Sequence, residues 1–323
     1  MNNLNHIFGT DPEAFIFDKL IKDEKLGLIP NIIPPIALVH DFGATYETIK
    51  GKNVLIKTEE FQWSEDGAAI ELQMNPTNDS ATFLSRIALA KIELNSFLSQ
   101  FNLEATTAFP VGFFNLNKYW KKRNEDFRSC VIFGCDPDEF PYKYIELGLD
   151  DPENKHTLNV ETHKYRYGGG HIHIQAPTKN PEIYLDNWAK ASIVFDFLAG
   201  LGNVSFAKPT QTRKLEKFRL NYYGKPGRIR LQFYKEKPKT YGIEYRALSN
   251  SWTNYPNMTN NLLHLLDIAA TVIEKDMGDK FITHFEKDIP LMHKTIRTLN
   301  KTIATTLLQR CLTWTKKNIK SNS

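Results

Sequence analysis

Apolar positions recur along this chain at two different periods, and the switch between them outlines its elements. Up to residue 75, short apolar runs alternate with turn residues, which is strand spacing. Segments 14–17, 36–39, 54–57 and 68–74 read as strands, with Pro30, Pro34 and Pro35 punctuating the loops between them. The period then lengthens. Phe83, Ile87, Ala90, Leu94 and Phe97 fall on one face of a helix, with Asp79 and Ser80 placed to cap it. A strand returns over 103–109. The stretch 118–128 is dense in charge and reads as a surface loop or short helix, 131–134 as a short strand, and 150–163 as polar loop. A strand at 171–175 precedes a helix over 181–201, which aligns Leu185, Trp188, Ser192, Phe195 and Ala199. Strands at 228–234 and 242–248 follow, then helices over 259–275 and 289–317. The last of these holds Ile289, Met292, Ile296, Leu299 and Ile303 at helical spacing, and its polar end is free to fray.

Strands thus come in runs beside a few long helices, instead of alternating with them one for one. That arrangement is α+β with a largely antiparallel sheet. No linker divides the chain. The expectation is a single catalytic domain over 1–323, with a sheet core at about 8–250 and a helical segment at about 259–318. The hexapeptide Phe8 to Glu13 is echoed at Phe133 to Asp138, too short a match to mark a duplication.

Composition narrows the classes. With 323 residues, 41% hydrophobic and 24% charged, the chain buries a real core and is not disordered. A net charge of +4 suits an anionic substrate such as a nucleotide, and lacks the clustered charge of a nucleic-acid binder. Cys130, Cys135 and Cys311 are odd in number and lack metal spacing, so they read as free thiols in a reducing compartment. The first eight residues are polar, and no stretch reaches the roughly 18 apolar residues of a membrane span. A cytoplasmic protein without a membrane partner is expected.

Four segments carry candidate chemistry. In Gly168-Gly169-Gly170-His171-Ile172-His173-Ile174, alternation puts both imidazoles on one strand face and both isoleucines on the other. The histidines are placed to bind a metal or a phosphate, and the glycines let a second backbone or a ligand phosphate come close. Asp11-Pro12-Glu13 sets a rigid turn with Glu13 at the start of a strand. In Asp66 to Pro76, alternation places Ala69, Glu71 and Gln73 together, either facing a ligand or solvated. In Tyr241 to Leu248, Glu244 and Arg246 share a face, as a structural ion pair or as a cation ligand beside a phosphate ligand. Upstream lies a basic run of Arg213, Lys214, Lys217, Arg219, Lys225, Arg228 and Arg230, interleaved with Tyr222, Tyr223 and Gly224. Glycines and a neighbouring acidic strand favour a polyphosphate site there over nucleic acid. From these segments Gly169, Gly170, His171, His173, Arg219, Tyr223 and Arg228 are the candidates for holding a nucleotide. Strand glutamates, histidines and arginines together suit ATP with magnesium, or manganese, and phosphoryl transfer. No Walker, kinase, Rossmann, HExxH or GxSxG signature is present.

The ordered set resembles a known family. Gly-x-Asp-Pro-Glu, Asp-Gly…Glu-Leu-Gln-x-Asn-Pro, Gly-Cys-Asp-Pro-Asp, Gly-Gly-His-Ile-His-Ile and Tyr-Gly-Lys-x-Gly…Tyr-Gly-Ile-Glu-Tyr-Arg look like the phage-type COOH·NH2 ligases. These are carboxylate-amine ligases of the glutamine-synthetase-like superfamily. The motifs run from Gly9 to about Asn250. The resemblance implies a curved, largely antiparallel sheet of the glutamine synthetase/guanido kinase kind, with ATP and magnesium in its concavity. It implies metal-binding roles for Glu13, Glu71, Glu244 and His171 or His173, and phosphate-handling roles for Arg230 and Arg246, with Glu71 also counted as catalytic. Asp136 and Asp138 match a family motif without an assigned role. Pro226 in the Tyr-Gly-Lys-x-Gly stretch and the segment 213–217 depart from the family pattern. The implied reaction joins a small-molecule or peptide carboxylate to an amine through an acyl phosphate. An inactive nucleotide-binding protein of the same fold, and a basic nucleic-acid-binding phage protein, are the alternatives.

Overall fold

Along β1 (Asn3–Thr10), Leu4, His6 and Phe8 turn inward while Asn3, Asn5 and Ile7 face out. This is the period of two that a pleated strand imposes. The computed structural model describes residues 3–18, 31–49, 51–119, 127, 162–207, 212–234 and 240–320. The strand expected at 131–134, together with Cys130, Cys135, Asp136 and Asp138, lies outside them, as do most of 118–128 and 150–163.

The remaining strands are β2 (Glu13–Asp18), β3 (Glu47–Ile49), β4 (Lys52–Lys57), β5 (Phe61–Asp66), β6 (Ala69–Met74), β7 (Thr77–Asp79), β8 (Leu103–Thr106), β9 (Val111–Phe113), β10 (Tyr165–Tyr167), β11 (Ile172–Gln175), β12 (Ile229–Tyr234) and β13 (Thr240–Tyr245). They form a five-stranded sheet in the order β12-β13-β11-β1-β7, a six-stranded sheet in the order β3-β4-β5-β6-β2-β8, and the ribbon β9-β10. Every pairing between these strands is antiparallel. The antiparallel α+β expectation therefore holds, with the strands divided between sheets.

The helices are α1 (Pro35–Phe42), α2 (Ser80–Ser99), α3 (Leu116–Tyr119), α4 (Ile183–Phe195), α5 (Leu201–Phe206), α6 (Thr212–Arg219), α7 (Pro256–Glu274), α8 (Gly278–Phe285), α9 (Ile289–Thr298) and α10 (Lys301–Lys320). Two expectations are corrected. Segment 36–39 is helical, not a strand: Pro35 supplies a fixed φ in the first turn, and Gly43 caps the end at φ 72°. A short apolar run buried all round has no period that tells strand from helix. The single helix expected over 289–317 is broken in two. Leu299 takes a left-handed conformation (φ 56°, ψ 41°) that ends α9, and the Asn300 side chain accepts the Ile303 N–H to begin α10.

Helices α4 and α7 pack on one face of the five-stranded sheet, whose Ile172, Ile174, Ile229, Ile243 and Tyr245 are fully buried. Each of those isoleucines contributes roughly 2–3 kcal/mol through removal from water. Helix α2 covers the six-stranded sheet, and Trp63 in β5 donates its indole N–H to the Ala90 carbonyl at 2.9 Å. The two sheets meet at Asp11-Pro12-Glu13. The Glu13 N–H donates to the Gly169 carbonyl at 2.9 Å, and the Pro12 carbonyl accepts from Leu72 N–H at 3.1 Å. The chain thus steps from one sheet to the other here, placing two carboxylates at the seam.

Candidate active site

Strand register builds the site. Gly9 opposes His173, His173 opposes Glu244, and Glu244 opposes Arg230. Side chains at one level across a sheet share a face, so His173, Glu244 and Arg230 form a row, with Gln175 and Gln232 on the same face two residues along. The six-stranded sheet brings Glu71 opposite Glu13. Between the sheets lies a cleft of about 490 Å³, lined by Asp11, Lys52, Glu71, Gln73, His173 and Arg230 at its charged end and by Ile7, Met74, Pro76, Gln175, Gln232 and Tyr234 beyond.

The first charged group centres on Asp11. Its carboxylate lies 3.3 Å from His171 Nδ1 and 3.0 Å from His173 Nε2, and His171 Nδ1 is also 3.1 Å from Glu244 Oε1. Glu244 takes further contacts from Arg246 Nη1 at 2.5 Å, Gln232 Nε2 at 2.5 Å and Arg230 Nη1 at 3.6 Å. Burial disfavours charge on Asp11, but the two histidines outweigh it and hold the carboxyl well below the usual carboxylate range. Burial likewise opposes the His171 cation, yet Asp11 pushes its pKa up to about 10. Burial would raise Glu244, but the hydrogen bond from His171 wins and its pKa falls to about 2. Asp11, His173 and Glu244 each present a ligand atom, all within 4.8 Å of one another. Two carboxylates and an imidazole converging this closely fit a divalent cation.

The second group has an excess of negative charge. Glu13 is buried, and its carboxylate accepts the Gly169 N–H at 2.9 Å. Burial, then the nearby Asp66, push its pKa well above the usual range. Burial, then Glu71, push Asp66 up to about 7. Glu71 Oε2 accepts from Gln73 Nε2 at 2.9 Å and from Lys52 Nζ at 2.8 Å. Carboxylates that raise one another in this way are relieved by a cation.

The sequence candidates divide by place. Glu71, His173 and Arg230 line the cleft, while Glu13, Glu244 and Arg246 are buried and are not in its wall. His171 does not face the cleft. It is buried, with Nε2 2.9 Å from the Tyr223 hydroxyl, so Tyr223 and Asp11 hold it from two sides. Close approach of other chain atoms to the glycine run is present. A Cβ on Gly170 would lie 2.3 Å from the Ser249 carbonyl oxygen, and one on Gly169 would lie 2.5 Å from His171 Nε2. Arg219 is fully buried, bound to both Glu216 oxygens and to the Ala247 carbonyl. Arg228 is buried at the foot of β12, where its carbonyl accepts the Arg246 N–H. Gly169, Gly170, Arg219, Arg228 and Tyr223 are not in the cleft wall.

Asp11, Asp66 and Lys52 were not among the candidates. Asp11 was legible in principle: it lies two residues before Glu13 across a rigid proline, and two residues after Gly9 on the strand face that meets His173. Lys52 carries no such signal, because it reaches Glu71 across the intervening β5.

No family model matches the chain, and no curated protein is significantly similar to it. Solved structures do match, among them apo GmaS, without ligand, at 12% identity and a TM-score of 0.38 over 98% of this chain and 70% of that one. That likeness is too loose to fix a family or an activity. No helix among the described residues is long and apolar enough to cross a membrane.

Proposed function

We propose that this chain is an ATP-dependent carboxylate-amine ligase of the glutamine-synthetase-like kind, working in the cleft between its two sheets. The observation that carries the reading is the convergence of Asp11, His173 and Glu244 on one point, beside the carboxylate-rich Glu13, Asp66 and Glu71. The order of motifs along the chain supports it.

Magnesium or manganese, held by Asp11, His173 and Glu244 and by the Glu13–Glu71 group, would screen the charge of the nucleotide phosphates. Arg230, partly exposed in the cleft wall, is placed to offset charge on the phosphoryl group as it moves to the substrate carboxylate. Arg246 fixes Glu244 Oε1. His171, clamped by Asp11 and Tyr223, locks the seam from below. An amine then attacks the acyl phosphate, forming the amide and releasing phosphate. The acceptors are small-molecule or peptide carboxylates and amines.

The test is ADP release with mixed amines and carboxylates. Glu244→Gln and Glu71→Gln are expected to fold, as judged by circular dichroism, and to lose ATP turnover by roughly 100-fold or more. Near-wild-type turnover in either variant contradicts the assignment.

A further inference from the structure

We infer that Lys52 is a tethered cation that competes with a divalent ion for Glu71 and is displaced when that ion binds. The inference rests on the reading of the cleft as a metal-nucleotide site, and adds to it a residue that sets when the site fills.

The argument starts from charge. Glu13, Asp66 and Glu71 bring three carboxylates to one end of the cleft, and Glu13 and Glu71 are buried. Buried carboxylates require a compensating charge or must give up their own. Among the described residues, Lys52 is the basic side chain paired with this group, its Nζ 2.8 Å from Glu71 Oε2. It comes from β4, two strands from Glu71 in β6, so it spans β5 to make the contact.

The two partners differ in how firmly they are held. The Glu71 side chain is 10% exposed and its Oε2 also accepts from Gln73, whereas the Lys52 side chain is 46% exposed. Lysine is a point charge on a long flexible stem, and a half-exposed pair of this kind is weak. A divalent ion brings twice the charge to the same oxygen and can bind several carboxylates at once. Exchange therefore favours the ion, and the freed ammonium swings into the cleft.

Two measurements test this on the whole chain. In calorimetric titration of nucleotide-free protein with Mn²⁺, Lys52→Gln is expected to bind the ion about fivefold tighter or more than wild type, because no competitor remains. Lys52→Arg, which keeps the charge, is expected to stay near wild type. Amine acylation read by mass spectrometry is independent of any variant's folding. Mn²⁺ should increase acylation of Lys52 in the wild-type protein. Lys190, paired with Asp279 away from the cleft, should not change. Equal or weaker Mn²⁺ binding by Lys52→Gln, or protection of Lys52 by Mn²⁺, overturns the inference. Binding of Mn²⁺ by neither protein removes the metal reading itself, and the inference with it.

Discussion

Glu244 has no exposed surface, and four side chains meet its two oxygens: Arg246, His171, Gln232 and Arg230. Such a carboxylate is held in one place, as the proposed ion binding and phosphoryl transfer would require. Alternation in the sequence groups Glu71 with Gln73 and Glu244 with Arg246, because that rule needs only the strand period, and each pair is in contact. Asp66 and Lys52 were not legible, since their role depends on partners that pairing brings from other strands. Outside the cleft, His293 offers a separate test. Burial, then Arg297 and Lys225, push its pKa down to about 4. The folded state therefore stays neutral where the unfolded chain, with a histidine pKa of about 6.5, takes a proton. Stability should fall with decreasing pH below about 6.5, losing about 2 kcal/mol by about pH 5. His293→Gln should lack this component. Urea denaturation across that range checks it, and parallel curves for the two proteins would count against the neutral buried imidazole.

At the scale of elements, the glycine run shows how local composition and tertiary contact share the work. Gly168, Gly169 and Gly170 lead into β11 and lie against 248–252, where Trp252 Nε1 donates to the Gly170 carbonyl at 2.8 Å and Asn250 Nδ2 to the Glu13 carbonyl at 2.7 Å. The glycines were visible as a place of close approach, but what approaches is chain, and only the fold names it. Gly170→Ala would force a Cβ into the Ser249 carbonyl, a contact with backbone that no rotamer relieves. It should destabilise by roughly 1–3 kcal/mol or more, with a lower melting temperature and lost Mn²⁺ affinity. A variant as stable as wild type would contradict this packing account. Strand and helix identity were read well where a period ran for several turns, as in α2 and α7. They were misread at 36–39 and at Leu299, where burial on all sides and a single left-handed residue decide the outcome.

The whole molecule gathers buried carboxylates, histidines and arginines where two antiparallel sheets join. The sequence indicates an antiparallel α+β protein, because runs of strands separate from runs of helices. It does not indicate two sheets, because the partner of each strand is set by contacts far apart in the chain: β1 pairs with β11, and β11 with β13. Those pairings are what turn scattered glutamates and histidines into one cleft. The most direct test of the central claim is a crystal structure of the protein soaked with Mn²⁺ and a non-hydrolysable ATP analogue, with anomalous scattering recorded for manganese. The account predicts manganese peaks among Asp11, His173 and Glu244 and beside Glu71, density for phosphates beside Arg230, and a Lys52 ammonium moved away from Glu71. Manganese and nucleotide bound elsewhere, with the cleft unchanged, would contradict it.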